Sequence, residues 1–192
     1  MRFRIFFIGF IYLSVFSALS QKTVLISPNH KNSIELFNTQ NGQNAGQWFL
    51  TIKYSAHSKT TEVVPKITLG LVRSDQDFSK ELKLIKVGKP VSIREDYTSI
   101  HGKRSHCTNS ANEITIAFET PSKAKLNLIL RAYNDGVAFR YEFPEKSGSF
   151  VVKDELTAYA VPDSTKRWME KFNPANEGLY STMVDGKVQQ DW

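Results

Sequence analysis

The sequence has only one cysteine, Cys107, among its 192 residues. A single cysteine excludes a disulfide within the chain and a zinc site built from several thiolates. The sequence also lacks a glycine-rich phosphate loop, a Gly-x-Ser-x-Gly nucleophile motif and a His-Glu-x-x-His zinc motif, each of which marks a common kind of active site. The residues alone therefore predict a domain without a self-contained active site.

Basic residues are only in modest excess over acidic ones. The chain carries 25 Lys and Arg residues and 19 Asp and Glu residues, which gives a formal net charge of +6. Nucleic-acid-binding domains usually collect basic residues on one face or one helix, but here no basic run is longer than Lys103-Arg104. Apolar residues make up 41% of the chain, as in ordinary soluble domains. We therefore expect a solvated surface and no nucleic-acid partner.

Residues 1–20 have the three parts of a secretory signal peptide. Arg2 and Arg4 are followed by an apolar run over residues 5–16, and Ala18 and Ser20 are small residues at the two positions that a signal peptidase reads. The run is shorter than the ~20 residues that a membrane-spanning helix needs. We expect export, with residues 21–192 remaining as a periplasmic or secreted domain that is not attached to a membrane. A buried N-terminal strand is the alternative interpretation of the run.

Apolar and polar residues alternate along most of the remaining chain. Because successive side chains of a strand leave opposite faces, such alternation predicts half-buried β-strands. Strands about ten residues apart, with turn residues between them, are typical of an antiparallel sandwich or barrel. We therefore predict an all-β fold, with only residues 164–172 tolerating a helix. The clearest alternating stretches are residues 47–54, 67–73, 113–118, 125–133 and 137–143.

One hairpin is predicted in detail. Asn134-Asp135-Gly136 separates the alternating residues 126–133 from residues 137–143. Asp-Gly readily supplies the positive φ angles of a tight hairpin turn, so we expect the two stretches to pair. The side chains predicted to point inward include Leu128, Leu130, Val137, Phe139 and Tyr141.

Two adjacent acid pairs, Glu95-Asp96 and Asp154-Glu155, are the first candidates for acid–base chemistry. A glycosidase-type mechanism needs two carboxyl groups that face each other across the bond to be cleaved. Neighbouring residues on a strand point to opposite faces. We therefore expect both pairs to be solvated rather than catalytic.

His101, His106 and Cys107 lie close together in the sequence. Imidazole and thiolate groups ligate transition metals, and a Cys-His pair is also a candidate nucleophile. Their spacing matches no zinc finger, the intervening Lys103-Arg104 repels a cation, and no third group is identified that would orient the histidine. A polar loop leading into the next strand is the alternative that we favour.

Residues 128–143 read Leu-Ile-Leu-Arg-Ala-Tyr-Asn-Asp-Gly-Val-Ala-Phe-Arg-Tyr-Glu-Phe. This stretch closely resembles the most recognisable part of the N-terminal domain of glycoside hydrolase family 97, a family of secreted α-glucosidases and α-galactosidases. Other stretches resemble the family in the same order, and the likeness extends over nearly all of residues 21–192. These are Ser27-Pro28-Asn29, Leu69-Gly70-Leu71, the stretch from Tyr97 to Asn112-Glu113, Asp154-Glu155, and the stretch from Trp168 to Tyr180.

The resemblance implies a β-super-sandwich like that of galactose mutarotase. In the family this domain precedes a (β/α)₈ barrel, which carries the catalytic residues, and a small C-terminal β domain. Because the 192 residues include no barrel and stop before the family's sandwich is complete, the resemblance implies an incomplete domain that is not catalytic alone. Its substrate would be an oligosaccharide or other α-glycoside, bound through the full-length enzyme. The choice between glucoside and galactoside, and between inversion and retention, would depend on the barrel.

The resemblance also implies one metal-binding residue. Family members hold calcium beside the substrate, mostly with barrel glutamates and with one further Glu from a loop of the N-terminal domain. The matching position here is Glu177, in Asn173-Pro174-Ala175-Asn176-Glu177-Gly178. Calcium takes six to eight oxygen ligands, so we do not expect Glu177 alone to bind it tightly.

Two other functions remain open from the sequence. A free-standing carbohydrate-binding module would use exposed aromatic residues such as Trp168 or Trp192 as platforms for sugar rings. A structural or partner-binding remnant of a decayed gene would have no ligand of its own.

Overall fold

The computed structural model describes residues 23–38, 46–145, 148–163, 165–169, 175, 181–184 and 187–189. These residues form fifteen β-strands, and no membrane-spanning helix occurs in this part of the chain. The prediction of an all-β fold is confirmed. The strands are β1 Thr23–Ile26, β2 Asn32–Asn38, β3 Trp48–Ala56, β4 Lys59–Thr68, β5 Leu71–Arg73, β6 Lys83–Val87, β7 Val91–Thr98, β8 His106–Glu119, β9 Lys125–Tyr133, β10 Val137–Glu142, β11 Val152–Glu155, β12 Ala158–Ala160, β13 Arg167–Met169, β14 Ser181–Val184 and β15 Lys187–Gln189.

Two antiparallel sheets of five strands each make up the sandwich. Sheet I has the order β1-β2-β3-β4-β12. Sheet II has the order β10-β9-β8-β6, and β7 also pairs with β8. Two smaller sheets accompany them: β5 pairs with β11, and β13, β14 and β15 form a three-stranded sheet.

The hydrophobic core lies between sheets I and II and is built from alternate residues of their strands. Ile34 and Leu36 on β2 are fully buried in the same cluster as the apolar residues of β8 and β9. The Trp48 ring meets the edge of Phe118 at a centroid distance of 5.0 Å, and its Nε1 donates a hydrogen bond to the Leu82 carbonyl at 2.9 Å. Burial of each large apolar side chain contributes about 1.5–3 kcal/mol. The central members from sheet II are Ile114, Ile116, Phe118, Leu126, Leu128 and Leu130.

The predicted hairpin is present as β9 and β10. Phe139 lies opposite Leu130, and Tyr141 lies opposite Leu128. Leu128 and Leu130 are buried, while Val137, Phe139 and Tyr141 are half-buried and pack against the core. The predicted pairing and the predicted inward side chains are therefore confirmed.

The turn of this hairpin has no positive φ angle at Asp135-Gly136; it is closed by a hydrogen bond from the Tyr133 N–H to the Gly136 carbonyl at 2.8 Å and is held by bonds to the Asn29 turn. The Asn29 backbone N–H donates to Asn134 Oδ1 at 2.9 Å, and Asn29 Nδ2 donates to the Asn134 carbonyl at 3.0 Å. Asn32 Nδ2 donates to the Tyr133 carbonyl at 3.0 Å. The opening Ser27-Pro28-Asn29 turn thus fixes the hairpin turn, and the reason given for the turn from its sequence was wrong.

Two details differ from the sequence predictions. Residues 67–73 are not one strand, because β4 ends at Thr68 in sheet I and β5 begins at Leu71 in a different sheet. Gly70 lies between them, where a Cβ atom would stand 3.1 Å from side-chain carbons of Leu156 and Ser79. The helix considered for residues 164–172 is also wrong, since Arg167–Met169 forms β13 and pairs with β14.

Arg73, at the end of β5, is a charged residue inside the fold, with a relative exposure of 3%. Its Nε lies 2.7 Å from Asp75 Oδ1, and its Nη1 lies 3.2 Å from Glu145 Oε1. The guanidinium carbon is 3.8 Å from the ring centroid of Phe150 and 4.6 Å from that of Phe143. The hydrogen bond to Asp75, followed by that to Glu145, raises the pKa of Arg73 above its usual value. This cluster ties β5 to the chain that follows β10.

Arg73→Lys is expected to lower the free energy of unfolding by about 1–3 kcal/mol, because an ammonium loses the forked hydrogen bonds and the flat stacking of a guanidinium. Denaturant unfolding followed by fluorescence measures the change. Arg140→Lys is the control, because Arg140 is largely exposed and, among the described residues, bonds only Glu142, at 3.3 Å, so its effect should stay within about 0.5 kcal/mol. Equal effects of the two substitutions would contradict this role of Arg73.

Candidate functional site

The His101, His106 and Cys107 group does not converge in the structure. His106 and Cys107 are adjacent residues on β8, so their side chains leave opposite faces of the strand. His106 Nδ1 lies 3.6 Å from Asp96 Oδ1, and His101 is exposed in the turn between β7 and β8. Across the described residues, no group of three or more His, Cys, Asp and Glu side chains is placed to hold a metal ion. The predicted polar loop is limited to residues 99–105, because His106 and Cys107 already belong to β8 and pair with β7.

The two acid pairs have separate surroundings. Asp154 and Glu155 are both exposed on β11, where neighbouring residues point to opposite faces. Glu95 bonds Arg131, whereas Asp96 lies near His106. Neither pair has the facing geometry that two catalytic carboxyl groups require.

A polar network around Arg131 was not found from the sequence. Arg131 Nη1 donates to Glu95 Oε1 at 2.7 Å and to the Tyr133 hydroxyl at 2.9 Å, and its Nε donates to Glu113. The hydrogen bond to Tyr133, followed by that to Glu113, raises the pKa of Arg131 above its usual value. Glu113 alternates with core residues on β8, and Arg131 and Tyr133 do so on β9, so they share the outer face of sheet II. The alternation of the sequence predicts that these side chains lie on the outer face of their strands. Their contacts with one another depend on how the strands pair, which alternation does not show.

A shallow groove of about 270 Å³ lies beside this network. Ile129 and Ala138 contribute apolar surface, and Arg131, Tyr133 and Arg140 also line it. The groove offers N–H and O–H donors to an oxygen-rich partner. These lining side chains include no carboxyl group, so the groove does not contain the pair of carboxyl groups that glycoside hydrolysis uses.

The β13–β14 hairpin carries the most exposed tryptophan of the described residues. Trp168 lies opposite Thr182 and has a relative exposure of 63%. Lys166 Nζ lies 5.2 Å from the centroid of the Trp168 ring, within the range of a cation–π contact. An exposed indole of this kind presents a flat apolar surface to a ligand or a partner.

Glu177, the residue matched to a calcium ligand, belongs to the stretch that connects β13 to β14. It lies outside the described residues, and so does Trp192. Strand β13 ends at Met169 and β14 begins at Ser181, and these two residues are paired. The calcium-binding role of Glu177 stays a prediction.

The comparison with protein families is decisive once this fold is known. A family model described as Glycosyl-hydrolase 97 N-terminal matches residues 25–191. The chain belongs to this family. It is the N-terminal domain of a family 97 glycoside hydrolase, and the all-β sandwich is the fold of that domain in its relatives.

Several relatives of this family 97 domain are much longer than the chain. A curated relative, the probable retaining alpha-galactosidase of Streptomyces bingchenggensis (strain BCW-1), is 29% identical over 132 residues, which are 69% of this chain and 20% of the relative. A solved beta-arabinopyranosidase is 28% identical, with a TM-score of 0.69, and the match covers 83% of this chain and 26% of that one. A variant family 97 enzyme from Pseudoalteromonas sp. strain K8, in complex with panose, has a TM-score of 0.68 and is 24% identical, with 87% and 26% covered. The chain therefore spans between a fifth and about a quarter of these relatives.

Proposed function

We propose that this family 97 domain supports the active site of a (β/α)₈ barrel in an exported α-glycosidase, with an α-glucoside or α-galactoside as substrate. The observation that carries the proposal is the family match over residues 25–191 in a chain that covers only 20–26% of glycoside hydrolase relatives. The relatives named above include a probable alpha-galactosidase and an enzyme that binds panose, an oligosaccharide. The signal-peptide pattern of residues 1–20 supports a periplasmic or secreted location.

The contacts of the described carboxylates favour a positioning role for this domain over a catalytic one. Glu95 and Glu113 both bond the single guanidinium of Arg131 on the outer face of sheet II, so each is held by a structural ion pair. Asp154 and Glu155 leave opposite faces of one strand. The proposal therefore assigns bond cleavage to the barrel and positioning of the barrel's substrate site to this domain.

We propose that Glu177 contributes one carboxylate to a calcium site shared with the barrel. Glutamate oxygens are suitable ligands for this hard cation, and the paired ends of β13 and β14 bring Met169 and Ser181 together on either side of its segment. Calcium beside a substrate would orient and polarise it. The carboxylate of this chain would fill one of the ion's oxygen positions.

The chain alone is expected to hydrolyse no glycoside. Cleavage needs two carboxyl groups roughly 5–10 Å apart across the sugar bond, and the proposal places both on the barrel. The measurement is release of p-nitrophenol from p-nitrophenyl α-glucoside and α-galactoside, with a full-length family 97 enzyme as the positive control. Turnover that copurifies with the chain through successive columns would contradict the proposal.

Calcium at millimolar concentration is expected to leave the melting temperature of this chain unchanged, because stabilisation requires a ligand concentration well above the dissociation constant. In a full-length relative, the Glu-to-Gln substitution at the position of Glu177 should weaken calcium affinity and activity together. Scanning calorimetry with and without calcium measures the melting temperature of this chain. Titration calorimetry and a glycosidase assay measure the calcium affinity and the activity of the full-length variant. A calcium-dependent rise in the melting temperature of this chain that Glu177→Gln leaves unchanged would contradict the assignment.

The exposure of Trp168 favours a second candidate function, a carbohydrate-binding module. A sugar ring stacked on the indole would bind without any contribution from a barrel. Titration calorimetry with panose or maltotriose should then detect binding that Trp168→Ala abolishes and that Tyr97→Ala, a change at another half-exposed aromatic residue, preserves. Absence of heat with either sugar would rule out this second function for these ligands.

A further inference from the structure

Strand β7 leaves one of its edges open. Among the described residues it pairs only with β8, and it does so along its whole length without a shift in register. Such an edge presents a row of unpaired N–H and C=O groups, which is a template for another strand. Lysines and bulges are common protections of an edge, and β6 has both, with Lys83, Lys86 and a register shift after Leu84. β7 has neither.

The loop that follows β7 shows which backbone groups face the open edge. The Ser99 N–H donates to the Ser105 carbonyl at 2.7 Å, in continuation of the β7–β8 ladder. On β8 the Ser110 carbonyl points away from β7 and accepts from the Asn134 N–H at 3.3 Å. Because the hydrogen-bonding groups of successive residues alternate between the two edges of a strand, the odd-numbered residues of β7 bond β8. The groups at the open edge therefore belong to the even-numbered residues Ser92, Arg94, Asp96 and Thr98.

Sheet I does not cover β7. Its edge strand β1 approaches β8 and β9, and Asn112 Nδ2 on β8 donates to the Ile26 carbonyl of β1 at 2.8 Å. Ser92 pairs with Asn112 and so has its side chain on this inner face of sheet II. All four side chains of β7 on the inner face, those of Ser92, Arg94, Asp96 and Thr98, are nevertheless exposed. The inner face of β7 is therefore open to a neighbour.

The sequence of β7 is complementary to itself in one antiparallel register. When Arg94 lies opposite Asp96 of a second copy, twofold symmetry also places Asp96 opposite Arg94 of that copy, so two ion pairs form. Both residues have their backbone groups at the open edge, so the same register also forms the hydrogen-bonded ladder. On the outer face Ile93 then lies opposite Tyr97, which is 50% exposed. A shift of two residues in either direction would place Arg94 opposite Arg94 or Asp96 opposite Asp96.

We propose that β7 pairs with β7 of a second copy of this chain, antiparallel and with Arg94 opposite Asp96. The pairing joins the two copies of sheet II into one continuous sheet. Glu95 lies opposite Glu95 of the second copy at the twofold axis, where like charges would repel. Each Glu95 carboxylate accepts a hydrogen bond from Arg131 of its own copy at 2.7 Å, which offsets this repulsion. The Arg131 network thus supports the interface.

A second copy fits this edge without a collision between the two copies of sheet I. The twofold axis is perpendicular to the joined sheet, so both copies of sheet I lie on the same side of it. Each remains beside its own β8 and β9, and the paired β7 strands separate them. A strand of another sequence would satisfy the backbone groups of β7, whereas a second β7 also satisfies the charges of Arg94 and Asp96.

The test is the mass of the full chain in solution, measured by sedimentation equilibrium. A dimer is expected at concentrations of about 100 μM, because one pair of edge strands buries little surface and gives a weak complex. Arg94→Asp and Asp96→Arg should each raise the dissociation constant by about tenfold or more, because like charges replace both ion pairs. The double variant, in which the two charges are exchanged, should restore the dimer. Lys59→Asp is the matched control, because Lys59 is exposed on β4 in sheet I, and it should leave the dissociation constant unchanged.

Amide exchange tests the register without any substitution. The N–H groups of Arg94 and Asp96 should exchange about tenfold more slowly as the concentration is raised and the dimer forms. The Glu95 N–H already bonds β8, so its exchange should change little over the same range.

Four outcomes would overturn the inference. The first is a chain that stays monomeric at these concentrations. The second is a dimer that neither single charge reversal weakens, because another surface would then be the interface. The third is a double variant that is folded by circular dichroism and does not dimerise, because the register would then be wrong. The fourth, which needs no variant to fold, is exchange at Arg94 and Asp96 that does not depend on concentration. Glycosidase activity is not a readout, so failure here is separable from failure of the proposed function.

Discussion

Strand β8 determines the arrangement of sheet II, because β6, β7 and β9 all pair with it. Its inward residues Ile114, Ile116 and Phe118 lie opposite Leu130, Leu128 and Leu126 of β9. A shift of one residue in this register would turn the whole apolar set toward solvent. The burial of these pairs therefore fixes the register of β9, and through β9 it fixes the position of β10 at the end of sheet II.

The sequence predicted the local parts of this fold well and the long-range parts poorly. Alternation with a period of two was sufficient for the β9–β10 hairpin and for its inward side chains, because the face of a residue depends only on its place in the strand. Alternation could not show that residues 67–73 change sheets at Gly70, or that Arg73 is enclosed by aromatic rings. The surroundings of Arg73 depend on Glu145 and Phe150, and those of Gly70 depend on Leu156, all far away in the sequence.

The calcium-binding role predicted for Glu177 rests on the resemblance to the family and not on residue chemistry. A lone glutamate such as Glu177 has no partner at a characteristic spacing, so residue chemistry alone could not distinguish it from a solvated side chain. The motifs behind the resemblance have a physical reason in the structure, since Asn29 and Asn134 hold two turns together. The Arg131 network was missed because its members come from three strands, and each of them reads as an ordinary outward-facing polar residue.

The order of strands in sheet I has a consequence for folding during synthesis. The sheet begins with β1 at Thr23 and closes with β12 at Ala160, and all of sheet II lies between them in the chain. β1 to β4 therefore leave the ribosome before the strands that cover their apolar face have been synthesised. Contacts that close such long loops form late and slow the folding of β-sandwiches. Until residue 142 has emerged, the inner face of sheet I lacks the complete sheet II that covers it in the folded chain.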